Sequence, residues 1–370
     1  MPGQVTLADV ARAAGVSLAT ASRALNGSPG RTVRAELAAK VTVAAANLGY
    51  SVNAHAQAMA RGATTTVGLV VHDIADPYAA SIASGVMAAA AERDLIVSIS
   101  STASDPELEL RHMRALLQQR ARAVILAGSR FTDAEATTAT HDIAAAIAAA
   151  GGRVAAIGQD LLGVRTVSID NSGGARRLAS TLCSLGYQRF AVLAGPEQLA
   201  TCEERLAGFR EGLAESGAEL APENILAAQF TRDGGYVAMR ELLDQGLSAD
   251  CIFAVNDIMA VGAMAALREQ GYRVGRDVAL AGFDGIPTLR DIEPALTTVR
   301  LPLVEIGRAA LNLALADSDS EDAVAAVVRG DVAVRDSTPA VTPAVDSPPT
   351  PAAVTCDVLT ADLHRALPHL

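Results

Sequence analysis

Short continuous apolar runs recur through most of the chain. They are "VGLVV" (67–71), "LIVSIS" (95–100), "AVILAG" (123–128), "RVAAIG" (153–158), "RFAVLAG" (189–195), "CIFAVN" (251–256) and "VALAGFD" (278–284). Runs of this length and continuity suit strands buried on both faces. Ala-rich amphipathic stretches separate them, so the rhythm predicts parallel sheets with crossover helices, enough for two doubly wound α/β units. The first fifty residues follow a different period. Leu7, Val10, Ala11 and Ala14 share one helical face, with Thr6 as N-cap and Asp9 returning to it. Gly15 supplies a turn and Val16 packs under it. Ser17 caps a second helix through about Leu25, which Asn26-Gly27 closes. A third helix is predicted from about Val33 to Leu48, with Leu37, Val41, Ala44, Ala45 and Leu48 at helical spacing. Two short helices around a glycine turn make a helix-turn-helix, whose second helix enters the major groove of DNA.

Charge sharpens this picture. The chain carries a formal −11, yet residues 1–62 hold six Arg and Lys against Asp9 and Glu36. A head of +4 therefore precedes a remainder of −15, the asymmetry of a nucleic-acid reader whose bulk repels DNA. Half the residues are apolar and only 3% aromatic, so the core must be built from Ala, Val, Leu and Ile. Nothing apolar is long enough to span a bilayer, and "MPGQVTLADV" lacks the blocks of a signal peptide. Cys183, Cys202, Cys251 and Cys356 show neither CxxC nor metal-ligand spacing, as expected of buried thiols in a cytoplasmic protein. No metal and no cofactor are expected.

"TLADVARAAGVSLATASRALNG" (6–27) with "LGYSVNAHAQAMA" (48–60) resembles the head of the lactose-repressor family of bacterial transcription regulators. The resemblance continues to about residue 338 through "VGLVVHDIADPY" (67–78), "VSIDNSGGARRLASTLCSLGY" (167–187), "RLAGFREGL" (205–213), "AVNDIMAVGAMAALREQG" (254–271) and "AGFDGIPTLRDIEPALTTVRLPLVEIGRAA" (281–310). It implies that the residues after Ser17 face the bases. Leu18 and Ala19 would meet thymine methyls and Arg23 would read guanine. Thr6, Ser17, Thr20, Ser22 and Asn26 would hold phosphates. Arg31 would take over a phosphate that the third helix, with its altered residues at Arg34, Leu37 and Ala38, does not hold. The segment 54–60, capped by Asn53 and carrying Ala56, resembles the family's minor-groove hinge helix. Met59 stands where the family usually wedges a Leu.

The resemblance also implies a periplasmic-binding-protein-like body of two parallel-sheet subdomains behind the all-α head. The expected division is a DNA-binding head over 1–50, hinge and linker over 51–66, and a ligand-binding and dimerisation body over 67–338. Its N-subdomain would take about 67–164 plus 298–329 and its C-subdomain about 165–297 plus 330–338. Chain crossings are expected near 163–166, 296–300 and 328–332. Residues 339–370, rich in Pro, Ala and Thr, read as a disordered extension. A short piece around Leu359, Leu363 and Leu367 is interrupted by Pro368.

Open parallel sheets bind ligands beyond the carboxyl ends of their strands. That singles out Asp73 and Tyr78 after the first strand, then Asp160, Asp170, Asn256, Asp257 and Asp284, with Arg205 on a helix facing the same cleft. His72, Asp76, Ser129, Arg130, Gln159 and Asn171 stand beside them. Carboxylates, an amide, a guanidinium and a phenol suit a polyhydroxylated ligand. The alternative for Asp170–Asn171 and Asn256 is capping of the next helix. No paired-acid site, P-loop, GxGxxG or GxSxG is present, so the chain is not expected to be an enzyme. The expected protein is a cytoplasmic, ligand-responsive regulator, most simply a repressor. It binds a near-palindromic DNA operator as a homodimer, or a tetramer, answers to a sugar-like effector and has no membrane contact. Two rivals are a binding protein or chemoreceptor without a DNA role, which the basic head disfavours, and a sugar-active enzyme on the same fold.

Overall fold

The computed structural model describes residues 5–26, 33–50, 64–317 and 327–341. The head has three helices: α1 (Leu7–Ala14), α2 (Leu18–Asn26) and α3 (Ala35–Asn47). Thr6 and Asp9 close the predicted capping box on α1, and Gly15 ends it at φ +65°, a left-handed conformation that favours glycine. Val10, Ala11, Ala21, Val41, Ala44 and Ala45 form a small core of their own, with Leu7, Val16, Leu25 and Tyr50 against it. Leu37 and Leu48, expected on the inner face of α3, are left outside that core, and Leu48 is exposed.

The body is two six-stranded sheets. The first joins β1 (Thr66–Val71), β2 (Ile96–Ser101), β3 (Ala123–Ala127), β4 (Arg153–Gly158), β5 (Arg165–Ile169) and β11 (Val327–Val328) in the order β11-β5-β4-β3-β1-β2. The second joins β6 (Phe190–Ala194), β7 (Ile225–Ala227), β8 (Cys251–Ala254), β9 (Ala279–Asp284), β10 (Thr297–Arg300) and β12 (Asp331–Ala333) in the order β12-β10-β9-β8-β6-β7. Every pairing is parallel except β10 with β12. Both sheets reverse winding beside their first strand, which is where doubly wound folds open a ligand crevice.

Three expectations are corrected. The run 95–100 is not doubly buried: β2 is an edge strand, and Ile96 and Ile99 are exposed. The first crossing falls near 170, because β5 stays in the first sheet. The second falls at 301–302, because β10 belongs to the second sheet and the following helix α11 (Leu303–Leu315) returns to α4 (Pro77–Ala91) and β4. The two helices approach to backbone distance: a Cβ on Gly85 would meet the Val304 carbonyl, and one on Gly307 the Ile82 carbonyl. The third crossing lies between β11 and β12. Residues 339–341, assigned to the extension, are tied to the body instead. Tyr187 donates its hydroxyl to the Pro339 carbonyl at 2.6 Å, and the Val341 amide donates to Leu185 at 2.8 Å. The remainder of the predicted extension, 342–370, lies outside the described residues, as do Arg31, Asn53, Ala56 and Met59.

Candidate nucleic-acid face and effector cleft

On the head, Ser17 caps α2 through its hydroxyl, which accepts from the Thr20 amide at 3.1 Å and shares a hydrogen bond with the Thr20 hydroxyl at 2.8 Å. Capping leaves the amino end of the helix facing solvent. Ser17, Leu18 and Ala19 are exposed there, and Thr20, Ser22 and Arg23 are half-buried behind them. Leu18 is 53% exposed, a position no folding argument favours for leucine and one that suits an apolar base contact. Ala21 on the opposite side is fully buried. Thr6 is exposed and engaged with Asp9. Asn26 is the last residue of α2.

In the body, polar groups converge from both subdomains on one cleft of about 680 Å³. From the first subdomain come His72 and Asp73 at the end of β1, then Asp76 and Tyr78 at the start of α4, then Ser129 after β3. From the second come Thr201 and Arg205 on α8 (Ala200–Glu215), Asn256 at the start of α10 (Asp257–Glu269), and Asp284 at the end of β9. Arg205 is the most elaborately held of these. Its Nε donates to Asn171 Oδ1 at 2.9 Å, Nη1 to the Val255 carbonyl at 2.7 Å and Nη2 to Asp284 Oδ1 at 2.7 Å. Its guanidinium also lies 3.8 Å from the Phe283 ring centre. Asp284 sits at φ +119°, a conformation sparsely populated by residues with a side chain and one that collects at functional sites. Burial pushes its carboxyl up, against the opposing pull of Arg205.

Several expected ligand groups are placed elsewhere. Asp257 is fully buried beneath the cleft and its oxygens are already used. It accepts from the Gly285 and Ile286 amides at 2.6 and 3.0 Å and from the Thr298 hydroxyl at 2.7 Å. It shapes the loop after Asp284. Asp170 caps helix α7 (Asn171–Ser184), accepting from the Gly173 amide, and pairs with Arg177 at 3.2 Å. Asp160 is exposed and does not line the cleft. Asn256 both caps α10, at 2.9 Å from the Met259 amide, and lines the cleft. Asp73 lines it while bonding the Ala75 amide.

Sequence reasoning overlooked the opposite wall, Gln229–Asp233, which brings Phe230 to the cleft. Its signal was the cap Thr231 ahead of helix α9 (Arg232–Asp244). It also overlooked the latch joining the subdomains. The Thr201 amide donates to Ser129 Oγ at 3.0 Å, Gln159 Nε2 to Thr201 Oγ1 at 2.9 Å and to Glu204 at 3.0 Å, and the Ala200 amide to the Arg130 carbonyl at 3.0 Å. Beneath the latch Arg130 and Glu109 form a buried ion pair at 2.7 Å. Burial and Arg130 together push His72 down to about 4, so it is neutral at physiological pH.

Asp76 yields a pH prediction. Burial raises its carboxyl to about 6, assisted by Asp284 and Asp73 and opposed by the Tyr78 amide. The native state therefore holds a proton that the unfolded chain has already lost between the two pKa values, and the ionised carboxylate weakens the fold above about pH 6. Asn keeps the cap but removes the charge. Asp76→Asn should stabilise the ligand-free protein by about 1–3 kcal/mol above pH 7. The gain should vanish below about pH 4, where both forms are neutral. Urea unfolding at the two pH values checks it; an equal gain at both would refute the cause.

A model of "Bacterial regulatory proteins, lacI family" matches residues 6–53, and one of a "Periplasmic binding protein-like domain" matches 179–338. The transcriptional regulator GalR of Escherichia coli K12 is 34% identical over 317 residues, covering 85% of this chain and 90% of that protein. CelR of Thermobifida fusca is 35% identical over 308 residues, covering 82% and 88%. Among solved structures, a CelR–cellobiose complex is 32% identical with TM-score 0.65, covering 90% of this chain and 99% of that one. The lac repressor dimer bound to operator and an anti-inducer is 26% identical with TM-score 0.75, covering 91% and 100%. These relatives are named as transcription regulators, not enzymes. No helix among the described residues is long and apolar enough to cross a membrane. Head, two-sheet body and length-wide similarity agree: this chain belongs to the LacI family of bacterial regulatory proteins and is a ligand-responsive, DNA-binding transcription regulator.

Proposed function

We propose that the protein is a cytoplasmic repressor whose two heads, in a homodimer, hold the half-sites of a near-palindromic operator. A sugar or related metabolite in the cleft sets its affinity for DNA. The observation that carries this reading is the joint contribution of both subdomains to one cleft, Asp76 and Tyr78 facing Arg205 and Asp284. A ligand that bonds both sides favours one angle between the subdomains. Three crossing segments make that angle the soft coordinate, and a change in it alters the separation of the paired heads. Ligand and operator then change each other's affinity by equal factors. Exposed Met87 on α4 and Ile96 and Ile99 on the neighbouring edge strand supply apolar surface for a second copy. The division into head, hinge over 51–66 and body accompanies this reading, with Thr6, Ser17, Thr20, Ser22 and Asn26 on phosphates and Leu18, Ala19 and Arg23 at the bases.

A gel shift on the DNA upstream of the gene tests the reading. The intact protein should retard that fragment in a salt-dependent manner. Arg23→Ala should weaken binding by about 1–3 kcal/mol and relax preference at one base pair. Failure to retard the fragment even at low salt defeats the proposal, and undiminished discrimination by the variant removes Arg23 from the bases.

A further inference from the structure

The charge balance of the cleft decides among effector classes that the family alone leaves open. Four carboxylates line it, Asp73, Asp76, Asp233 and Asp284, against two guanidiniums, Arg205 and Arg232. Neither cation is available to an anion. Three of the five N–H groups of Arg205 are committed within the protein, and its charge is met by Asp284 at 2.7 Å. Arg232 is paired with Asp233 at 2.9 Å.

Helix amino ends are the usual alternative for holding a phosphate, and three face this cleft. Each is filled by the protein itself. The Asp76 carboxylate accepts from the Tyr78 amide at 2.9 Å, the Thr231 hydroxyl from the Gly234 amide at 3.1 Å and Asn256 from the Met259 amide at 2.9 Å. A phosphate arriving at α4 would meet Asp76, and one arriving at α9 would meet Asp233 in its first turn.

The lining is thus rich in acceptors and poor in free donors. Its partner must bring hydroxyl protons, as a sugar does and a phosphate dianion does not. Tyr78 and Phe230, from opposite subdomains, add aromatic surface for a sugar's apolar face. We infer that the effector is an uncharged polyhydroxylated molecule, and that the cleft rejects phosphorylated and carboxylated sugars by its fixed carboxylates. This inference rests on the sugar-effector reading above.

The test is calorimetric titration of the intact protein with a panel of neutral mono- and disaccharides, each beside its phosphate ester or uronic acid. A neutral member should bind, and its anionic counterpart should bind at least about a hundredfold more weakly, since like charges brought together cost several kcal/mol. Asp76→Asn and Asp233→Asn should each narrow that gap by about tenfold. An anionic member binding as well as its neutral partner overturns the inference and leaves the sugar reading standing. A gap unmoved by either variant also overturns it, because rejection would then be steric. If no member of either set binds, the sugar reading itself fails and takes the inference with it.

Discussion

Replacing Asp284 by Ala is expected to destabilise the body by about 3–5 kcal/mol, because it strands a buried guanidinium. Arg205 is only 3% exposed and cannot turn to water for compensation. Its remaining acceptors, Asn171 and the Val255 carbonyl, are neutral. Alanine adds a second cost. At φ +119°, Asp and Asn are tolerated better than residues without a short polar side chain. Asp284→Asn separates the two roles of this residue. Its amide oxygen can still accept from Arg205 Nη2, so the fold should survive with a smaller loss. The carboxylate that faces the cleft is gone, and the effector concentration needed to alter operator binding should rise at least tenfold, about 1.4 kcal/mol. Operator affinity without effector should stay at the wild-type level. Denaturant unfolding reads the first effect, and operator titrations with and without effector read the second. A wild-type unfolding midpoint for the Ala variant would deny the ion pair its structural role, and a normal effector response from the Asn variant would remove Asp284 from the ligand.

The reason Asp284 and Arg205 were legible in the sequence while their neighbours were not is itself physical. A doubly wound sheet places strand ends at a crevice, so Asp73, Asn256 and Asp284 follow from the position of apolar runs alone. What each carboxylate then does depends on partners distant in the chain. Asp257 is captured by Thr298, forty-one residues on, and Asp170 by the amide of Gly173 and by Arg177; neither partnership has a local signature. Phe230 was hidden for another reason. Its wall follows β7, a three-residue strand too short to interrupt any pattern. The strands that escaped notice share that brevity or carry threonine where the rest carry Val or Ile. In β10 the buried Thr297 and Thr298 satisfy their hydroxyls through Thr338 and Asp257, a burial that composition cannot announce. The latch at Ser129 and Thr201 depends on how two subdomains meet, and no periodicity within either one encodes that.

The head offers the cleanest separation of functions, through Ala21. It is fully buried between α1 and α3, and the cluster around it contains no residue of the body. Six small or medium side chains are a slight core, and a domain of this size has only a few kcal/mol in hand. An unpaired carboxylate there costs more than that. Ala21→Asp should therefore unfold the head and lower operator affinity by at least about a thousandfold, to the level of non-specific binding. The body should keep its melting temperature and its effector affinity, because its strands and helices pack in separate clusters. Ala39→Asp controls for the added negative charge. It places the same group on α3 at an exposed position, where only the weaker electrostatic penalty on DNA binding should appear. If the two variants bound operator equally well, the packing of α1, α2 and α3 would not be what presents Leu18, Ala19 and Arg23 to the groove. If Ala21→Asp also abolished effector binding, the head and body would not be the independent units that their separate cores imply.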